Sequence, residues 1–110
     1  MNDSQILIKF VPGRGRKRNN TYAEGFDAYF SESKHEPKDV WTAIKKKMGV
    51  GGGWTESAKV AAKKKCTYEP VFPTGHVAQF QGNCGETVKG LLMELFDVEE
   101  EDIKLSGVVQ

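Results

Sequence analysis

The stretch Pro12-Gly13-Arg14-Gly15-Arg16-Lys17-Arg18-Asn19-Asn20 lies between two strand-like runs, and it limits what the chain can fold into. Four cations (Arg14, Arg16, Lys17, Arg18) crowd together with glycines between and before them, and no acidic residue occurs from Ser4 to Ala23. Like charges repel, and glycine gives up much backbone entropy on ordering. Such a stretch reads as an exposed hairpin tip. A polyanion that neutralises the cations offsets both costs, and nucleic acid is the commonest one. The alternative is a solvated loop with no partner.

The flanks fit a hairpin. From Gln5 to Val11, Ile6, Ile8 and Phe10 point one way while Gln5, Leu7, Lys9 and Val11 point the other. Leu7 on the second face implies partial cover there too. Strand character resumes over Thr21–Phe26, and residues 27–36 read as polar and irregular. Pro37 then opens a helix with Asp39 in its first turn. Val40, Ile44 and Met48 recur at helical spacing, Lys45, Lys46 and Lys47 oppose the dipole's negative end, and Gly49 stops it. Gly51-Gly52-Gly53 reads as a flexible joint. Trp54–Lys65 is ambiguous: Ser57–Lys65 has helix formers but few apolar anchors, so a projecting or mobile insertion is expected. Runs 66–72 and 76–81 around Pro73-Thr74-Gly75 predict a second hairpin. Asn83 as cap and Glu86 at the third helical position open a second helix, whose stripe is Val88, Leu91, Leu92, Leu95 and Phe96. Gly90 within it points to a close backbone approach. Residues 97–102 are an acidic connector, and Ile103–Val109 closes the fold.

The expected order is ββαββαβ over a single domain, residues 1–110. That is an α+β two-layer sandwich, with a mixed sheet of about five strands and two helices on one face. The net charge of +1 hides an asymmetry: residues 9–65 carry fourteen Lys/Arg against six Asp/Glu, and the remainder two against nine. A basic face and an acidic edge fit an oriented complex with a polyanion. Nothing approaches the roughly 20 apolar residues of a membrane span, and no signal-peptide segment is evident, so a cytoplasmic or nuclear protein is expected. Cys66 and Cys84 read as thiols, and with His35 and His76 they match no zinc spacing. Gly13-Arg14-Gly15 lacks the spacing and following helix of a dinucleotide turn. A nuclease using His35 or His76 with a carboxylate lacks anything that brings those groups together. No cofactor, metal or catalytic constellation is expected, and the chain reads as a monomer.

Several local patterns resemble the eukaryotic and archaeal translation initiation factor 1 family. Gly15-Arg16-Lys17 resembles that family's first hairpin loop, and Tyr22 through Gly25-Phe26 its second strand. Ala43-Ile44-Lys45-Lys46-Lys47-Met48 resembles the end of its first helix. Gly75-His76-Val77-Ala78-Gln79-Phe80-Gln81-Gly82 is similar to its Gly-x-Val-x-Gln-Leu-Gln-Gly strand, and Ile103-Lys104-Leu105-Ser106-Gly107 to its closing strand. Each motif alone is weak; their order over residues 6–108 is more specific. The chain departs from the family in having Asn83 where Asp follows Gln-Gly, in a longer segment over 49–65, and in about four residues, rather than a long tail, before the first strand.

The resemblance implies a factor that binds small-subunit rRNA near the P site and enforces start-codon selection. It implies that Arg14, Gly15, Arg16, Lys17 and Arg18 contact rRNA, with Asn19 and Asn20 adding hydrogen bonds. Lys45, Lys46 and Lys47 extend that contact. Gly51, Gly52, Gly53 and Trp54 correspond to a loop beside the initiator tRNA, and other initiation factors are implied partners. The related domain of density-regulated protein, which acts in initiation and recycling, is the nearest rival, and a generic RNA-binding module the next. Trp41 reads as core, while Trp54 is placed equally well in the core or at a partner.

Overall fold

A computed structural model of the chain describes residues 5–11, 19–31, 34–62, 71–72, 75–82 and 84–106. One mixed sheet has the spatial order β3-β4-β2-β1-β5. Its strands are β1 (Ile6–Val11), β2 (Asn20–Glu24), β3 (Trp54–Glu56), β4 (His76–Gln81) and β5 (Ile103–Ser106). Neighbours are antiparallel except β5, which runs parallel to β1. The helices are α1 (Phe26–Tyr29), α2 (Pro37–Met48), α3 (Ser57–Ala62) and α4 (Gly85–Phe96), and a 3-10 turn over Glu100–Asp102 leads into β5. The expected α+β class and five-stranded mixed sheet are both present.

Alternation in β1 buries Ile6, Ile8 and Phe10. Register sets Ile8 beside Ala23, Ala23 beside Ala78 and Thr21 beside Phe80, which makes one apolar face. α2 covers it through Val40, Trp41 and Ile44, and α4 through Val88, Leu91 and Leu92. Each large apolar side chain buried this way contributes about 1.5–3 kcal/mol. Pro37 and Gly49 bracket α2 as expected; Gly49 is left-handed (φ 69°) and its N–H donates to the Lys45 and Lys46 carbonyls. The α4 stripe ends early. Leu95 is 41 % exposed, while Phe96 turns to the rings of Phe30 (6.1 Å) and His35 (4.9 Å). A side chain at Gly90 would meet only open space, so close packing does not explain that glycine.

Asn83 lies outside the described residues; Cys84 holds the N-cap position of α4 and Glu86 the second helical position, not the third. The hydroxyl that serves this end comes from β2. Buried Thr21 Oγ1 accepts from the Cys84 N–H (3.1 Å) and donates to the Gly82 carbonyl (2.8 Å). Thr21→Val leaves a partly buried N–H without that acceptor, at a cost of about 1–3 kcal/mol, and Thr21→Ser should recover most of it. Urea denaturation checks this; a valine variant as stable as the parent would contradict the role.

The second strand ends at Glu24 rather than Phe26. Gly25 is left-handed (φ 95°), and a Cβ there would overlap the Gln5 carbonyl oxygen. The chain turns into α1, so the stretch expected to be irregular opens with a helical turn that drops Phe26 and Phe30 into the core. Among the described residues the third strand is Trp54–Glu56, and of the run 66–72 expected as a strand only Val71 and Phe72 are described. Residues 66–70 lie outside the described residues. Val71 and Phe72 form a bend whose N–H groups donate to the buried Glu24 carboxylate (2.8 and 3.1 Å) instead of to a ladder. β3 therefore meets β4 across a longer connection, closed where Ser57 N–H donates to the Gly75 carbonyl (3.0 Å).

Within that connection α3 packs back instead of projecting. Val60 joins Tyr22, Val77 and Val11 on the sheet's second face, and Ser57 is buried. One valine at the right turn suffices where the surface to be covered is small. α3 adds a partial third layer to the sandwich.

Candidate nucleic-acid interface

Of the candidate residues that the structure describes, Asn19, Asn20 and Gly51 meet at one end of the sheet, where β1 finishes and β2 begins, while Trp54 lies further along the β3 edge opposite Ala78. Asn20 pairs with Gln81 in the ladder, and its Oδ1 accepts from Gln79 Nε2 (3.0 Å). Gly82 N–H donates to the Asn19 carbonyl (2.8 Å). Beyond β4 lies the triglycine segment. Gln81 N–H donates to the Gly51 carbonyl (2.9 Å) and Gln79 N–H to that of Gly53 (2.8 Å). Gly51–Gly53 is thus no flexible joint: it continues the ladder on β4. A Cβ at Gly52 would overlap the Gln79 carbonyl oxygen, so glycine is what lets the backbone lie this close. Just before it, the last turn of α2 carries Lys45, Lys46 and Lys47.

Arg14, Gly15, Arg16, Lys17 and Arg18 lie outside the described residues. Val11 and Asn19, which flank the 12–18 connection, belong to this same end. Lys46 and Lys47 are exposed. Lys45 Nζ sits 4.2 Å from the centroid of the Trp41 ring, a cation–π contact. Trp41 itself is 7 % exposed and donates its Nε1–H to the Gln79 carbonyl (3.1 Å), so it is a core residue as expected.

Trp54 is half-buried beside Trp41 (centroids 6.0 Å) and Phe26 (6.3 Å), and it stacks on His76 at 4.9 Å and 15°. It is a wall of the core with one ring partner at the sheet edge. The His76 imidazole is held by Asp27: Nδ1 lies 3.1 Å from Oδ1, while the His76 backbone N–H donates to Oδ2 (2.8 Å). Sequence reasoning missed this grouping. Its one signal was Gly25, whose turn carries Asp27 off the strand and back over the start of β4.

The acidic connector ending at Asp102 lies at the opposite end, where Ile103 pairs with Ile6. There Asp102 accepts from the Tyr29 hydroxyl (3.0 Å) and Glu100 pairs with Lys89 (3.3 Å). Burial, then Asp102, pushes the Tyr29 phenol above its ordinary range. Among the described residues, the last turn of α2 carries three lysines, and the carboxylates of Glu100 and Asp102 lie beside the start of β5. Burial also pushes the Cys84 thiol up, and Cys84 forms no disulfide. Among the described residues no group of His, Cys, Asp and Glu could hold a metal ion, and no helix is long and apolar enough to cross a membrane. No protein-family model matches the chain, and no curated protein matches it.

Proposed function

We propose that this chain is a translation initiation factor that binds the small ribosomal subunit near the P site and promotes scanning and accurate start-codon selection. The observation that carries the reading is the ladder from Gly51 through Gln81 to Asn20. It gathers the lysine end of α2, the triglycine segment and the base of the 12–18 connection on one end of the sheet. These are the segments whose motifs resemble the initiation factor 1 family. rRNA phosphates neutralise the cations, and Asn19 and Asn20 position the loop base. The Gly51–Trp54 segment lies toward the initiator tRNA. Other initiation factors share the subunit with it.

The mechanism needs no covalent step. A factor that binds the open, scanning subunit better than the closed one disfavours commitment at a mismatched codon. A correct codon–anticodon duplex stabilises the closed state enough to release it. The test is cosedimentation with purified small subunits against free RNA of equal charge. Preference for the subunit supports the reading; equal affinity for any RNA of similar length assigns the chain to a generic RNA-binding module.

A further inference from the structure

At the β3 edge, Lys45, Trp41, Trp54 and His76 form a continuous row. The ammonium lies on the Trp41 ring, that ring meets Trp54, and Trp54 stacks on His76. Two contacts fix the imidazole, the Trp54 face and the Asp27 carboxylate, while 33 % of its side chain is exposed. Exposed Glu56 lies directly across the ladder from His76 and shares a sheet face with Trp54. A ring already immobilised by packing loses little entropy when a second flat group is laid on it.

We propose that the Trp54–His76 pair is a stacking platform for an unpaired base of single-stranded RNA. This rests on the RNA-binding reading above and names a contact of that same RNA. Base stacking on a fixed aromatic is sequence-tolerant and independent of charge neutralisation. Asp27 and Glu56 repel phosphate, so the base, not the backbone, lies over the imidazole. The Glu56 carboxylate can accept hydrogen bonds from a base's amino group. The backbone runs toward Lys45 on α2, whose ammonium lies on the Trp41 ring.

The test is binding of the full chain to a labelled single-stranded RNA and to duplex RNA of the same length, followed by fluorescence anisotropy. His76→Ala should weaken the single strand about tenfold and leave the duplex unchanged. His76→Phe, which keeps a stackable ring, should restore binding. In proton NMR the ring signals of His76, one of two histidines, should move upfield with the single strand only. If His76→Ala binds the single strand like the parent while Arg16→Glu/Lys17→Glu loses it, the platform is overturned and the RNA-binding reading survives. If the parent binds neither RNA, both fall. If an arginine-rich peptide, but not RNA, shifts the His76 signals, the pair serves a protein partner and the proposal is overturned.

Discussion

Phe26→Ala is expected to cost about 3–5 kcal/mol, a large share of the roughly 5–15 kcal/mol that holds a domain of this size. Phe26 is fully buried. Its ring meets Phe30 edge-on at 5.9 Å and 88°, and Trp54 at 6.3 Å. Removing it leaves a cavity between α1, α2 and the β3 edge, where neighbours on three elements cannot all relax inward. Phe26→Leu keeps most of the volume and should cost far less. Urea denaturation measures both. A Phe26→Ala variant within about 1 kcal/mol of the parent would mean that α1 is not part of the core. The same substitution removes a wall of Trp54, so it should also loosen the stacked His76.

Arg16→Glu/Lys17→Glu is expected to weaken subunit and RNA binding by about 10- to 100-fold at moderate salt and to flatten the salt dependence. Each lost phosphate contact removes roughly 0.7–0.9 from the slope of log affinity against log salt, so two lost contacts should remove about 1.4–1.8. Lys46→Glu/Lys47→Glu should act in the same direction but less strongly. Those lysines also favour the negative end of the α2 dipole, so part of the change will appear as lost stability. Titrations at several salt concentrations separate the two. An unchanged slope in the loop variant would remove the 12–20 stretch from the interface.

The elements legible in the sequence were those that carry their own boundaries. Pro37 and Gly49 mark α2, the alternation of Ile6, Ile8 and Phe10 marks β1, and helical spacing marks the Val88–Leu92 part of α4. What escaped was decided by distant partners. β3 has only Trp54, Thr55 and Glu56, too short for a period to show, and it exists because Gly51–Gly53 can lie flat on β4. Val71 and Phe72 look like the end of a strand by composition, yet the buried carboxylate of Glu24 takes their N–H groups. The acceptor for the N–H of Cys84, at the N-cap of α4, comes from Thr21, far away in the chain, where no local motif could reveal it. The candidate site divides the same way. Its cations stand out as a charge run, but the meeting of Asn19, Asn20 and Gly51 at one end of the sheet depends on the Gln81 ladder, and the Asp27–His76–Trp54 grouping on the turn at Gly25.

The most direct test of the central claim is start-site choice in a translation reporter carrying AUG or a near-cognate codon in the same context. Adding the protein should lower near-cognate initiation relative to AUG, and Arg16→Glu/Lys17→Glu should abolish that effect while the variant stays folded. A ratio that does not move when the parent protein is added would contradict a role in start-codon selection.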